Sequence, residues 1–109
     1  MRQAKVFFKN LEAGILRQYD DGTFTFRYDD AWMTDNSKPA ISPTLPKSSQ
    51  EHYSKHFFSF FYNMLPEGSN RAVVCKYNRI DTDDYFGILI TIAKNDTIGA
   101  VSVEKMESP

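Results

Sequence analysis

This sequence of 109 residues has few cysteines, few glycines and almost no net charge, and each of these features excludes a class of protein. The single cysteine, Cys75, rules out an internal disulfide framework and favours a reducing compartment, the cytoplasm. Thirteen Lys and Arg against fourteen Asp and Glu leave a net charge of −1, so we expect no direct binding of nucleic acid. Five scattered glycines cannot form a phosphate-binding loop, so we expect neither a nucleotide nor another cofactor.

Long apolar runs are also missing. The longest nearly apolar run, Phe86–Ala93, is interrupted by Gly87 and Thr91 and is far too short to cross a membrane. The polar, charged start of the chain differs from a signal peptide, so we expect a soluble cytoplasmic protein without membrane contact. The length fits one domain, residues 1–109, and is too short for the two lobes of a complete protein kinase.

Aromatic residues, in contrast, are abundant: nine Phe, six Tyr and one Trp. Three segments near the start of the chain predict β-strands: Lys5–Lys9, Gly14–Gln18 and Thr23–Tyr28. Strict alternation in the third segment places Phe24, Phe26 and Tyr28 on one face. The Asp-Asp-Gly sequence at residues 20–22 is a turn signal, so the second and third strands should form a hairpin.

The next segments predict an edge strand and then a long helix. Pro43 lacks a backbone N–H, so a strand at Ala40–Leu45 should lie at a sheet edge or a bulge. The Ser-Ser-Gln-Glu sequence at residues 48–51 matches a capping box, and Pro66 with Gly68 would end the helix. Helical spacing predicts one broad aromatic face made by Tyr53, Phe57, Phe60, Phe61 and Met64.

The remainder predicts two further helices. Ser69 can cap a helix over Asn70–Tyr77, and Asp81 or Thr82 can cap another that runs over Asp83–Ala93. The side chains of the first of these helices that should face the core are Val73, Val74 and Tyr77.

A final strand at Ile98–Val103 and a polar tail at Glu104–Pro109 complete the prediction. The elements together indicate an α+β fold, in which a small, mostly antiparallel sheet has about three helices packed on it.

Two histidines form the first candidate metal site. His52 and His56 are four residues apart on the predicted helix, a spacing that can place two imidazoles on one metal ion. The zinc-protease pattern requires Glu directly after the first His, where this chain has Tyr53, and no third ligand is evident. We therefore expect no metal there.

Two groups of acidic residues are further candidates for a chemical site. Asp81, Asp83 and Asp84 resemble part of a calcium loop, but the required Gly and distal Glu are missing, so helix capping explains them better. Residues 20–35 carry five Asp and one Arg, a local charge of −4. Solvated turns, an acidic rim for a basic partner and a hydrolase site made of two of these carboxylates all remain open. The enzyme hypothesis is a small enzyme that uses two of the Asp residues, with Asp29 and Asp30 as the pair to test, or His52 with His56.

Three residues have both a structural and a binding interpretation. Trp32 lies in a polar segment, where it can be either a core residue or an exposed anchor for a partner. Leu65 and Pro66 stand at a helix end, on a rigid corner that suits packing against another protein. Cys75 has a simpler interpretation, that of a small buried apolar residue.

Several motifs, taken in order, carry a resemblance to a known family: Gly14-Ile15-Leu16, Phe24–Tyr28, the Trp32 loop, residues 41–46, residues 57–68, residues 84–89 and residues 98–101. The series resembles the N-terminal subdomain of HipA-type serine/threonine kinases, the toxins of bacterial persistence toxin–antitoxin systems. The resemblance covers nearly the whole chain, residues 4–103, and implies the α+β fold of that subdomain.

The resemblance also implies a function. In those toxins the chain continues into a kinase core, whereas here it stops at Pro109, so the sequence is similar to the stand-alone form in three-gene HipBST systems. There HipS accompanies a shortened kinase, HipT, and a helix-turn-helix protein, HipB. The implied function is that of an antitoxin, not an enzyme, which binds and neutralises a HipT-like kinase. A non-inhibitory structural subdomain of a HipA-type kinase is the alternative.

A subdomain that packs on a kinase should carry an apolar patch with a polar rim. The residues we expect to contact such a kinase are Trp32, Leu45, Leu65, Pro66 and Phe86.

Overall fold

The computed structural model describes residues 1–93 and 100–106 of the chain. The strands are β1 (Arg2–Phe8), β2 (Leu11–Gln18), β3 (Phe24–Tyr28), β4 (Glu51–Ser54) and β5 (Val101–Lys105), and the helices are α1 (Asp30–Thr34), α2 (Ser59–Tyr62), α3 (Gly68–Asn78) and α4 (Tyr85–Ile92). The strands form one antiparallel sheet in the order β4-β3-β2-β1-β5. The predicted α+β class is therefore confirmed. Within the described residues, no helix has the length and the apolar character that crossing a membrane requires.

Two tight turns join the first three strands. Lys9 and Asn10 both have positive φ angles, 51° and 67°, which is the backbone of the two-residue hairpin turn whose twist matches the strands. Gly22, with φ of 86°, supplies the left-handed position in the second turn, where Asp21 accepts a hydrogen bond from the Thr23 amide at 2.9 Å. The predicted hairpin of β2 and β3 is confirmed.

The core lies between one face of the sheet and the helices. Phe26 on β3 contacts Phe61 of α2, with ring centroids 5.8 Å apart, and both side chains are fully buried. From α4, the contiguous run Phe86–Leu89 is buried, and this helix packs beside β5. Each large apolar side chain that is removed from water contributes about 1.5–3 kcal/mol to stability. The alternation predicted for β3 thus identifies the core face correctly.

Tyr28 holds the long segment at residues 35–50, which contains no helix or strand. Its buried hydroxyl accepts a hydrogen bond from the Ile41 amide at 3.0 Å and donates one to the Leu45 carbonyl. The strand predicted at Ala40–Leu45 is therefore wrong. The backbone groups of this segment form hydrogen bonds with the Tyr28 side chain and within a local turn, not with a neighbouring strand. Pro43 also has no backbone N–H that could bond to another strand.

The side chains of Trp32 and Lys47 also bond to the backbone of this segment. The indole Nε1 of Trp32 donates to the Pro39 carbonyl at 2.9 Å. The ammonium of Lys47 donates to the carbonyl oxygens of Asp35 and Lys38, at 2.8 and 2.7 Å. These bonds satisfy backbone groups that lack a partner in a sheet or helix.

The long helix predicted after residue 48 is wrong. Residues 48–51 cap no helix, because Glu51 begins β4 and pairs with Arg27 of β3. The adjoining amide of Tyr28 donates to the Gln50 carbonyl at 2.9 Å. The open edge of β3 thus recruits a segment whose local sequence favours a helix, and only residues 59–62 remain helical as α2.

The later elements confirm most of the prediction. The helices α3 and α4 lie close to the predicted positions, and Cys75 is buried as expected. Val73 and Tyr77, however, point to solvent, so their predicted core positions are wrong. A short helix, α1, occupies part of a segment predicted to be a polar connection.

The final strand differs at both ends from the prediction. Observed β5 begins at Val101 and continues to Lys105, so it takes in the first two residues of the predicted polar tail. Ile98 and Gly99 lie outside the described residues. The Val103 amide donates to the Ala93 carbonyl at 3.1 Å, so the end of α4 covers part of the outer edge of β5.

Asp84 joins the start of α4 to β1. Its carboxylate accepts a hydrogen bond from the Gly87 amide at 3.1 Å, which makes it the N-cap, in place of the predicted Asp81 or Thr82. The guanidinium of Arg2 donates to both carboxylate oxygens, at 2.6 and 3.0 Å. These contacts with Arg2 lower the pKa of Asp84, against the opposing effect of burial.

Gly87 is required by this cap, which gives the first prediction. A Cβ at residue 87 would collide with an Asp84 carboxylate oxygen. Gly→Ala normally stabilises a helix by about 0.5–1 kcal/mol, whereas we expect Gly87→Ala to lower the free energy of unfolding by about 1 kcal/mol because the cap is displaced. Urea denaturation at pH 7 measures the change. In an Asp84→Ala background the same substitution should be neutral or stabilising, and equal destabilisation in both backgrounds would contradict this explanation.

The charge of Asp84 gives a pH-dependent prediction. Since its folded pKa lies below the ordinary 3.8, its contribution to stability is complete above that value and is lost as the pH falls through the folded pKa. Asp84→Asn keeps an oxygen for the cap but removes the charge. Because the pair is partly exposed, we expect the variant to be less stable by only about 0.5–1 kcal/mol at neutral pH. Denaturation curves of the two proteins should converge in strong acid, and a constant difference would count against the ion pair.

Burial of Trp32 gives a third prediction. The side chain is 4% exposed, and its ring meets the edge of Phe8 with centroids 5.8 Å apart. Trp32→Ala should therefore lower the free energy of unfolding by about 3–5 kcal/mol, as measured by thermal melting. Trp32→Phe, which keeps a ring but loses the bond to Pro39, should be intermediate. A normally stable Trp32→Ala variant would show that this ring does not support the core.

Candidate protein-docking surface

The histidines do not form the arrangement predicted for a metal site. His52 lies on β4, where its Nε2 is 2.9 Å from the Pro46 carbonyl oxygen, and His56 follows the strand in a bend, so the two do not share a helix face. No group of three or more His, Cys, Asp or Glu side chains that could hold a metal ion occurs within residues 1–93 and 100–106.

The carboxylate pair at Asp29 and Asp30 lies at the start of α1. Asp30 accepts hydrogen bonds from the Gln50 side-chain amide at 2.6 Å and from Arg27 at 3.4 Å, so it joins α1 to the residues beside β4. Burial raises the pKa of Asp29, and the nearby charges of Glu12 and Asp30 raise it further. The two carboxyls thus have different environments, but Asp30 serves as an acceptor in the scaffold.

The five residues predicted to contact a partner do not form one surface. Trp32, Leu45, Leu65 and Phe86 are each at most 5% exposed, and Pro66 is half-buried. Trp32 packs beneath residues 35–50, whereas Phe86 lies under the Arg2 guanidinium, 5.0 Å from its ring centroid. Their burial favours a role in the core, and partner contact through them stays a prediction.

A group of incompletely buried aromatic side chains surrounds α2, and we call it the aromatic surface: Phe57, Phe58, Phe60, Tyr62 and Tyr85. Tyr62 meets the edge of Tyr85 with centroids 5.2 Å apart, and Phe57 lies 5.9 Å from the same ring. A helix of only four residues cannot turn all of these rings inward, and Phe61 alone is fully buried. Each of these rings therefore keeps part of its surface accessible beside the core, and Tyr62 is the most exposed of them.

Arg71 of α3 fixes the two tyrosines of this surface. Its guanidinium lies over both rings, 5.2 Å from the centroid of Tyr62 and 5.6 Å from that of Tyr85. It also donates to the Tyr62 hydroxyl at 3.3 Å and to the Pro66 carbonyl at 3.0 Å. The aromatic surface thus has a rigid cationic rim, an arrangement in which Arg stacks on aromatic faces.

A groove separates α2 from β4, next to the aromatic surface. Its volume is about 390 Å³, and it is lined by Thr44, Leu45, His52, Tyr53, Ser54, Phe57, Phe58 and Ser59. Tyr53 is 62% exposed. Of the five predicted contact residues, Leu45 alone reaches this groove.

Strand β4 is an open edge of the sheet beside that groove. The hydrogen bond from the Tyr28 amide to the Gln50 carbonyl fixes which residues of β4 are hydrogen-bonded to β3. Because hydrogen-bonded and non-hydrogen-bonded pairs alternate, the backbone groups of His52 and Ser54 face β3, whereas those of Glu51 and Tyr53 point away from the sheet. An exposed edge of this kind can accept another strand. The groove, the edge and the aromatic surface form one continuous candidate for protein docking.

Sequence reasoning missed several members of this site. The predicted helix face does not include Phe58 and Tyr62, and the sequence pattern associates neither Tyr85 nor Arg71 with it. The available signal was the sequence Phe-Phe-Ser-Phe-Phe-Tyr at residues 57–62, which carries more aromatic residues than one helix face can bury. The contact of Arg71 with the tyrosines left no signal, because it depends on how α3 packs.

Comparison with known proteins identifies the family. A family model described as the HipA N-terminal domain matches residues 4–104. A protein of Sinorhizobium fredii named "Putative kinase Y4mE" is 26% identical over 103 residues, which cover 94% of this chain but only 24% of that protein. An uncharacterized protein of Haemophilus influenzae is 29% identical over 105 residues, which cover 96% of this chain and 93% of that protein.

A solved structure agrees with these matches. It is described as the N-terminal domain of HipA toxin and superposes with a TM-score of 0.73 at 26% sequence identity, covering 100% of this chain and 96% of that one. The matched family is distinct from the catalytic kinase domain of HipA. With a family model that spans nearly all of its residues and a fold that superposes on the same domain, this chain belongs to the HipA N-terminal domain family.

Proposed function

We propose that this protein is the antitoxin of a bacterial type II toxin–antitoxin system, and that it binds and neutralises a shortened HipA-like serine/threonine kinase. The observation that carries the proposal is the accessible aromatic surface on a domain of this family. In Y4mE the matched region is about a quarter of a longer chain, whereas the Haemophilus influenzae relative is hardly longer than this domain. The two relatives are consistent with a domain that occurs both within a kinase and by itself.

The chemistry of the aromatic surface supports binding to a protein. Aromatic side chains cover a large area with few torsions, and Tyr, Trp and Arg are enriched among residues that dominate interfaces. Here Tyr62 and Tyr85 are already held by Arg71, so little side-chain entropy remains to be lost on binding. Leu65 and Pro66 lie three and four residues after the end of α2, and the bond from Arg71 to the Pro66 carbonyl keeps the predicted corner close to this site.

Two routes to inhibition fit such a complex. The bound protein can prevent the lobes of the kinase from closing, or it can cover a surface that the kinase substrate needs. In either case the partner supplies the catalytic groups. A helix-turn-helix HipB-like protein in the same complex would supply any contact with DNA, since this chain has a net charge of −1.

A second candidate is a structural subdomain that completes a kinase without inhibiting it. It is favoured by the match to Y4mE, where the same region forms 24% of one chain. The two candidates predict opposite effects on the kinase. An antitoxin lowers the activity of the kinase, whereas a structural subdomain raises its activity or its stability.

The deciding experiment uses a HipA-like kinase that lacks this domain, and the proposal predicts that such a kinase is encoded beside this gene. Phosphorylation by that kinase is measured with increasing amounts of the full chain. We expect stoichiometric binding and loss of phosphorylation. Unchanged phosphorylation without binding would refute both candidates, and increased phosphorylation would favour the structural one.

Substitutions in the groove and at the aromatic surface locate the contact. Tyr53→Ala and Tyr62→Ala remove side chains that are 62% and 38% exposed, so the fold should be retained while affinity for the kinase falls by about 2 kcal/mol or more. Calorimetric titration measures the affinity, and circular dichroism checks the fold. Tyr77→Ala, which removes an exposed tyrosine on α3 outside this surface, is the matched control and should bind like the wild type.

A further inference from the structure

The outer face of α3 carries two apolar side chains that stay exposed within the described part of the chain. Of the eleven residues in this helix only Cys75 is buried, whereas Tyr77 is 84% exposed and Val73, one turn earlier, is 52% exposed. Helical spacing places Ala72 and Lys76 on the same side. The aromatic surface does not include these residues, and the proposed kinase contact does not use them.

The inner face of α3 already accounts for its packing. Arg71 contacts the tyrosines of the aromatic surface, Cys75 enters the core, and the Asn78 side chain donates to the Val74 carbonyl at 2.8 Å. This packing leaves most of the Tyr77 side chain and about half of the Val73 side chain exposed. Two adjacent apolar side chains on a solvent-facing turn are typical of an interaction site.

Arg79 gives this face an unusual feature. It follows the helix in the left-handed conformation, with φ of 55° and ψ of 49°, where glycine or asparagine is favoured. The helix end is closed by bonds from the Arg79 and Ile80 amides to the Cys75 carbonyl, so any residue there must adopt this backbone. An arginine at such a position places a cation in the same concavity as Lys76, in a backbone conformation that is unfavourable for an L-residue with a side chain.

A concavity on this face joins the apolar and the cationic side chains. It has a volume of about 490 Å³ and is lined by Val73, Lys76, Tyr77 and Arg79. Residues 68–80 contain three cations and no acidic residue. Neither Lys76 nor Arg79 forms an ion pair with another residue in the described part of the chain. The helix dipole explains a cation near the end of α3, but it does not explain the exposed Val73 and Tyr77.

We propose that the outer face of α3 binds an acidic protein surface that presents an apolar side chain. The apolar side chain enters the concavity between Val73 and Tyr77, and carboxylates on either side pair with Lys76 and Arg79. Charge complementarity selects the partner, because a basic face without acidic neighbours on its own helix attracts carboxylates and repels other cations. Nucleic acid fits less well, since two cations around an apolar centre offer few phosphate contacts.

The test uses the full chain and a synthetic probe. The probe is a fluorescein-labelled helical peptide with leucines along one face and glutamates on both flanks, and binding is followed by fluorescence anisotropy. We expect the probe to bind at least tenfold more tightly than the same peptide with Gln in place of each Glu. Lys76→Glu with Arg79→Glu, and separately Tyr77→Ala, should each weaken binding at least tenfold. Both variants change exposed side chains, and circular dichroism confirms that they fold.

A matched control and a second measurement locate the effect. Lys9→Glu with Lys55→Glu makes the same change in net charge at exposed positions off α3, and it should leave probe binding unchanged. Amide chemical shifts that change on titration should concentrate at residues 72–80. The proposal is overturned if the probe does not bind, if it binds all variants alike, if a single-stranded DNA of 12 nucleotides competes equally, or if sedimentation shows that this face joins two copies of the chain.

Discussion

The buried hydroxyl of Tyr28 is the contact on which the rest of the structure depends. It accepts a hydrogen bond from the Ile41 amide and donates one to the Leu45 carbonyl. One side chain of the central hairpin thus holds the long segment at residues 35–50 against the core. Burial raises the pKa of the Tyr28 hydroxyl, so the phenol stays protonated and able to donate. The backbone of the same residue pairs with Gln50, which sets the register of β4. Fold and site therefore share one anchor.

The position of β4 decides what the following residues can do. Once residues 51–54 are held at the sheet edge, only a short stretch remains before Pro66, and α2 shrinks to four residues. A helix this short buries Phe61 and leaves its aromatic neighbours at the surface. The docking candidate is thus a consequence of sheet pairing, and its rigidity comes from Arg71 on a different helix.

The two candidate surfaces differ in chemistry. The aromatic surface joins a groove and a free strand edge, and it suits a large partner such as a kinase that offers both side chains and backbone. The outer face of α3 is smaller and combines two apolar side chains with two cations. The two proposed contacts use different residues, so a partner at one surface leaves the side chains of the other exposed.

Local patterns determined those parts of the protein that are stabilised within a few residues. The alternation around Phe26, the turn at Gly22 and the run Phe86–Leu89 each predicted the correct element, because side-chain periodicity and backbone φ act over short distances. The motif series, which extends along the whole chain, was sufficient to indicate the family. Trp32 shows the limit of this reasoning, since its core and anchor interpretations were equally compatible with a polar segment.

Tertiary structure alone decided what depended on distant partners. The Ser-Ser-Gln-Glu sequence at residues 48–51 is a sound local signal for a helix, yet hydrogen bonds to the open edge of β3 outweigh it. Val73 and Tyr77 have the spacing of core residues, but which side of α3 meets the core is settled by Arg71 and Cys75. In both cases the deciding energy comes from groups far apart in sequence. Composition and periodicity therefore predicted the class of fold, and only packing separated the aromatic residues of the core from those of the surface.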